Sequence, residues 1–327
     1  MTPATAENTY DSTLQTCGAF RRFFESQCKT FEREVGSRYG KAVHVDVGFC
    51  ADSSLNAFAV RHSKNAYVIG IHTGALVILA NVFMDLFSRS PRLCAEMELG
   101  TAQARFPREG ILANTAFFAA THFLFSHELG HIAYGHTDFC QKSNHLLLEA
   151  GSSQASGPVS SELLQSIEVD ADLHASTSVM GHLATGQLCG IPMKDALKSR
   201  TDLLQLTMIA VLTMFHMFYG ENVSISSFET RSHPLPELRL LKFLMRAAQM
   251  QANLLPKEAF EVNVMDKITR EIQFCVPDEL KGAVFPALKL EGRVDLTKEA
   301  ARVRANEDRY EKLLAEYTIL PVGGIVV

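Results

Sequence analysis

Three residues within one stretch can do chemistry together: His127, Glu128 and His131, in the order His-Glu-Leu-Gly-His. On a helix, residues four apart project from the same face, so both imidazoles can reach one zinc ion. Glu128 then lies beside the ion, where a general base for an activated water belongs. Two histidines make only half a site. A catalytic zinc takes three protein ligands and keeps a fourth position open. A third histidine six residues beyond His131 is excluded, because position 137 is Thr137. Glu168, in Glu168-Val169-Asp170-Ala171-Asp172, is the favoured alternative. Asp172 shares its helical face and suits the role of accepting a ligand imidazole's second N–H. Taken alone, that cluster reads better as an acidic first helical turn. Other acids and histidines in reach are His136, Asp138, His145, Glu149 and Glu162. His136 falls off the metal-facing side and is expected to support a ligand. His145 and Glu149 are four apart and rank next.

These residues need a scaffold, and the bulk composition permits one. The chain has 327 residues, 47% hydrophobic and 20% charged, enough to bury a sizeable core. A net charge of −5 gives no basic surface for nucleic acid, and no such partner is expected. The seven cysteines are scattered, with no C-x-x-C pair, which indicates free thiols in a reducing compartment. Cys140, near the motif, reads as a buried bystander. No secretory leader is visible at the N-terminus, and a cytoplasmic location is expected. The best candidate for a membrane span, Leu203–Tyr219, is shorter than the roughly 20 residues a span requires. It carries Gln205, Thr207, Thr213 and His216, and reads as a buried core helix; no membrane partner is expected.

Periodicity predicts a polar, frayed start to residue 15, then an amphipathic helix over Cys17–Arg38 with Phe20, Phe23, Phe24 and Phe31 facing inward. Strands follow at Val43–Phe49, Asn56–Arg61 and Ala66–Ile71. Helices are expected at Thr73–Phe87, with Thr73-Gly74 as its cap, at 92–105, at Leu112–Tyr134 with Gly135 as its stop, at Ser161–Thr185, at 195–219 and at Leu238–Leu254. Gly151–Ser161 reads as a low-complexity loop. The fold class is α+β: a mostly helical, zincin-like domain with a small N-terminal sheet and an active-site helix bearing the motif. The expected division is an N-terminal helical extension (1–40), a metallopeptidase domain (41–255) and an appended C-terminal segment (256–327).

Five pieces, in order, resemble gluzincin metallopeptidases of the HtpX and CAAX-prenyl-protease type. His127 to His136 is similar to that group's H-E-x-x-H-x-x-x-G-H, and Glu168 to Asp172 to its E-x-x-A-D. Asn56-Ala57-Phe58-Ala59 resembles its N-A-F-A edge strand, and Ile71 to Leu76 the strand and T-G-L-L helix start that follow. Ser232 to Arg239 resembles T-H-P-x-x-x-x-R. The likeness spans about residues 40–250. The group's familiar members are membrane-embedded, and this chain lacks clear spans; the cytoplasmic phage-exclusion peptidases of the Lit type are similar and fit better.

The resemblance implies zinc (Zn2+) held by His127, His131 and Glu168, with Glu128 as general base acting on a polypeptide substrate. It places His233 as a donor to the tetrahedral oxyanion, with Tyr134 and Tyr219 behind it, and pairs Arg239 with Asp172 or another carboxylate. Asn56, Ala57, Phe58 and Ala59 would bind an extended substrate by β-augmentation. Two other readings remain open: a zinc-stabilised binding or regulatory module without turnover, and a membrane-associated quality-control protease. The first would call for a fourth protein ligand.

Overall fold

The computed structural model describes residues 3–95, 97–142 and 160–219, together with His233, Arg239, Lys242, Phe243, Arg246, Tyr317 and Ile319. It is mostly helical with a small N-terminal sheet, the α+β class expected. Helix α1 (Pro3–Tyr39) opens the chain. It begins well before Cys17, so the polar start is helical rather than frayed. Its inward stripe is Phe20, Phe24, Cys28, Phe31 and Val35, all buried at the three- and four-residue spacing of one helix face. Phe23, expected to share that stripe, is only partly buried and packs edge-on to His122 and His182.

Three seven-residue strands follow: β1 (His44–Cys50), β2 (Ala57–Ser63) and β3 (Ala66–His72). Their order is β1-β3-β2, with β1 parallel and β2 antiparallel to β3. Strand β2 is therefore an edge of the sheet among the described residues. The His72 N–H donates to the Asn56 carbonyl, and Ala57 lies opposite Ile71. That register turns the main-chain N–H and C=O of Ala57 and Ala59 away from β3, and both residues are buried. The Asn56 side chain folds back to accept from the Ala57 N–H at 2.9 Å.

Helix α2 (Thr73–Arg89) starts directly from β3. Its Thr73-Gly74 start is not a side-chain cap. The N-cap residue is His72, which makes no capping bond, and the Asp52 carbonyl accepts from both the Gly74 N–H and the Thr73 hydroxyl instead. Gly74 is required there, since a Cβ would stand 2.1 Å from the Ser53 carbonyl carbon.

The helix expected over 92–105 does not form. Short α3 (Pro91–Ala95) and a 3-10 turn (Thr101–Ala104) replace it. The reason is non-local: Leu99 bridges Leu197, the Gly100 N–H donates to Ala196, and the Glu98 carbonyl accepts from Lys198. Gly100 lies so close to Asp195 that a Cβ would stand 2.4 Å from its carbonyl oxygen.

Helix α4 (Arg108–Ala133) is the centre of the molecule. It is apolar on every side, as a helix surrounded by other elements must be. Neighbours α1, α2, the sheet, α6 (Ser161–Ala184) and α7 (Arg200–Tyr219) cover it. Phe24 of α1 stacks on Phe125 of α4 with ring centroids 4.1 Å apart. Gly135, at φ 74°, stops the helix as the sequence implied, and its N–H donates to the Ile132 carbonyl. Helix α5 (His136–Lys142) follows at once.

Residues 143–159, which include His145, Glu149 and most of the low-complexity loop, lie outside the described residues, as does most of Leu238–Leu254. Ser160 caps α6 by accepting from the Leu163 N–H. Between α6 and α7 runs a hairpin the sequence reading missed, β4 (Gln187–Leu188) and β5 (Ile191–Pro192). Its two turn residues, Cys189 and Gly190, have φ of 49° and 72°. Positive φ at both positions is the type I′ geometry that closes a tight hairpin.

Helix α7 starts at Arg200 rather than 195 and is buried along its length. Among the described residues, no helix is long and apolar enough to cross a membrane. Of the segment 256–327, Tyr317 and Ile319 are described. Tyr317 packs on Phe139, and the Ile319 N–H donates to the Ala133 carbonyl at the end of α4.

Candidate metal centre

The motif occupies the last two turns of α4, and the acidic cluster lies on α6 opposite. His127 and His131 bring their Nε2 atoms to 3.0 Å from each other. Glu168 completes the group, with Oε2 3.2 Å from His127 Nε2 and Oε1 3.7 Å from His131 Nε2. All three side chains are buried, and together they form a group able to hold a metal ion. Ligands about 2.0–2.1 Å from a tetrahedral zinc lie roughly 3.3–3.4 Å apart. The three observed edges bracket that spacing. The donor set suits zinc too: two imidazole nitrogens and a carboxylate. Glu168 Oε2 is buried and accepts no hydrogen bond among the described residues. A buried carboxylate oxygen left so is costly, and a cation between the three groups would answer it.

Gly130 is what lets the two helices meet. A Cβ there would stand 2.9 Å from His174 Cβ and 3.0 Å from Ala171 Cα. Ala171 lies between Glu168 and Asp172 on α6. The absent side chain in the motif therefore sets how near the third ligand comes to the first two.

Behind the ligands, Asp172 lies 2.9 Å from His127 Nδ1. Arg239 holds Asp172 with two hydrogen bonds, Nε at 2.7 Å and Nη2 at 2.8 Å. Its guanidinium also lies over the Phe215 ring, 4.1 Å from the centroid. This buried bidentate pair fixes the Asp172 carboxylate where it accepts from His127 Nδ1–H, which leaves Nε2 with its lone pair toward Glu168. His131 Nδ1 meets a second imidazole, His136 Nδ1, at 3.1 Å. His233 Nε2 lies 3.3 Å from Glu168 Oε2, and Arg239 Nη2 lies 3.9 Å from the same oxygen. Glu128, between the histidines, is buried at 2% exposure.

The other candidates have different surroundings. Asp138 accepts from the Tyr67 hydroxyl at 2.7 Å and pairs with Arg61 at 3.0 Å, tying α5 to the sheet. Glu162 sits in the first turn of α6 and, among the described residues, belongs to no metal-ligating group. Tyr134 packs edge-on to His174, and burial, with Asp170 nearby, pushes its hydroxyl up to about 12. The Tyr219 side chain lies outside the described residues. Cys140 is buried and burial raises its thiol to about 12, which removes the thiolate that redox chemistry needs. Ala57 to Ala59 stand on the edge strand, which packs on α4 and α5, and Asn56 immediately precedes it. Asp170, near His136, was not singled out in the sequence, because its position in the acidic cluster matches no motif letter.

A family model, Peptidase U49, matches residues 76–255. The range takes in α2, the motif helix, Glu168, Asp172, His233 and Arg239, and starts after the sheet. The match is consistent with the Lit-type branch and does not test the likeness to the HtpX and CAAX-type group. No curated protein and no solved structure matches.

Proposed function

As the chain belongs to the Peptidase U49 family and is a peptidase acting on polypeptide, we propose that it is a zinc-dependent endopeptidase with Glu128 as general base. The observation that carries this reading is the buried convergence of His127, His131 and Glu168 at metal-ligand spacing beside Glu128. When bound, zinc would polarise the scissile carbonyl and bring the pKa of a water down to about 7.

The remaining work falls to the chain's own side chains. Glu128 takes the proton of the attacking water and passes it to the departing amine. Asp172, with Arg239 behind it, holds the His127 imidazole in the required tautomer. His233, on the Glu168 side of the group, is the proposed donor to the oxyanion. The C=O of Ala57 and the N–H and C=O of Ala59, which face away from β3, hydrogen-bond an extended substrate segment, and Asn56 and Phe58 flank it. The five free cysteines among the described residues support a reducing, cytoplasmic location.

The experiment is proteolysis of an unstructured protein and a peptide library by wild type, by Glu128→Gln and by a chelated sample. Glu128→Gln should keep its zinc and lose about 10²–10⁴-fold in rate, and chelation should abolish cleavage until zinc is restored. Cleavage unaffected by either treatment would refute the mechanism. A full complement of zinc with no cleavage of any substrate would favour the binding-module reading.

A further inference from the structure

The two ligand histidines are backed differently, and we infer from the difference that His136 and Asp170 act together as positioning residues for His131. The inference rests on the zinc site proposed above. A metal at His131 takes the Nε2 lone pair, so the single proton of that neutral ring must lie on Nδ1. His131 Nδ1 is 3.1 Å from His136 Nδ1, so it donates and His136 accepts. The proton of the neutral His136 ring then lies on Nε2. That atom is fully buried, makes no hydrogen bond among the described residues, and faces Asp170 Oδ2 at 3.7 Å. This distance is too long for a hydrogen bond, but at it a carboxylate attracts an N–H and repels a lone pair.

The alternative arrangement has the opposite sense. With its proton on Nε2, His131 donates to His127 Nε2 at 3.0 Å. His136 must then donate through Nδ1, and its Nε2 lone pair is left facing Asp170. Asp170 therefore disfavours the state in which the metal-binding nitrogen of His131 is blocked. Each ring carries one proton in both states, so the exchange moves protons between ring nitrogens and neither gains nor loses one. On the His127 side a carboxylate does the same task directly, with its charge offset by Arg239. On the His131 side an imidazole intervenes, and the carboxylate beyond it is 35% exposed. Solvent weakens that charge, so Asp170 should matter less than His136.

The test uses the full chain and zinc itself. Zinc dissociation constants are measured by chelator competition for wild type, His136→Phe, His136→Gln and Asp170→Asn, with Glu109→Gln at the far end of α4 as control. Circular dichroism checks that each variant is folded. His136→Phe should bind zinc about 10–100-fold more weakly, His136→Gln should recover part of the loss because its amide oxygen can accept from His131, and Asp170→Asn should lose several-fold. Long-range proton–nitrogen NMR should find the His136 proton on Nε2 in the zinc-bound protein. If wild type binds zinc while both His136 variants match it, or the His136 proton lies on Nδ1 with zinc bound, the inference falls and the metal site stands. Loss in the His136 variants with Asp170→Asn like wild type removes Asp170 from the arrangement. If wild type binds no zinc, the site reading fails, and the inference with it.

Discussion

Gly130→Ala asks whether helix contact sets metal affinity. Alanine is the better helix former by about 1 kcal/mol, so an argument from α4 alone makes this variant more stable. The packing argues the reverse. The new Cβ would stand 2.9 Å from His174 Cβ and 3.0 Å from Ala171 Cα, and neither atom is the end of a flexible side chain. An ordinary carbon contact is about 3.5 Å or more, so α6 must retreat by roughly 0.5 Å. Overpacking of this kind costs about 1–3 kcal/mol, which leaves a net loss of about 0–2 kcal/mol. The effect on the metal is larger. Glu168 moves with α6 while His127 and His131 stay on α4, and a 0.5 Å shift exceeds the roughly 0.2 Å tolerance of metal–ligand distances. Urea denaturation of the zinc-free protein and zinc affinity by chelator competition together measure both effects. We expect stability equal to wild type or lower, and zinc affinity down at least about tenfold. A variant stabilised by about 1 kcal/mol with unaltered zinc affinity would refute the reasoning.

Two further predictions concern buried charge. Arg239→Ala leaves Asp172 buried beside His127 without its bidentate partner. It should lower the unfolding free energy by about 3–5 kcal/mol in urea titrations, and a change below about 1 kcal/mol would show that Asp172 has other compensation. His216 is buried in α7, and burial pushes its pKa down from 6.5 to about 3. The unfolded chain then takes up a proton that the folded chain refuses. This contribution to stability is therefore complete above about pH 6.5, and it falls by about 1.4 kcal/mol per unit as pH drops toward 3. The urea midpoint of wild type should decline more steeply below pH 6.5 than that of His216→Gln; parallel curves would show that His216 does not titrate in this way.

Most of the elements and the members of the metal group could be read from the chain, because each rests on local spacing. Four-residue spacing put His127 with His131 and Glu168 with Asp172, and Gly135 marked the end of α4. Facts that depend on distant partners were hidden. The stretch after Pro91 looks helical by composition, yet Glu98, Leu99 and Gly100 pair with residues about a hundred positions later. The hairpin at Cys189-Gly190 carried one readable sign, a glycine where positive φ is needed, but its strands are only two residues each. Arg239 could not be told from a solvated helix charge until Asp172 and Phe215 were placed around it. Asp170 became visible only when α5 brought His136 beside it.

All three residues of the metal group stand on α4 and α6, and none on the sheet. Edge strand β2 reaches that pair of helices from a separate layer, held by Tyr67 and Arg61 on Asp138 of α5. On the proposed function, reaction and recognition are thus carried by different parts of the architecture. On that reading, exchanging the less buried β2 side chains, with Arg61 and the core residues Ala57 and Ala59 retained, is a route to new sequence preferences that leaves the metal group in place. What such a chain cuts could then vary while the means of cutting is kept.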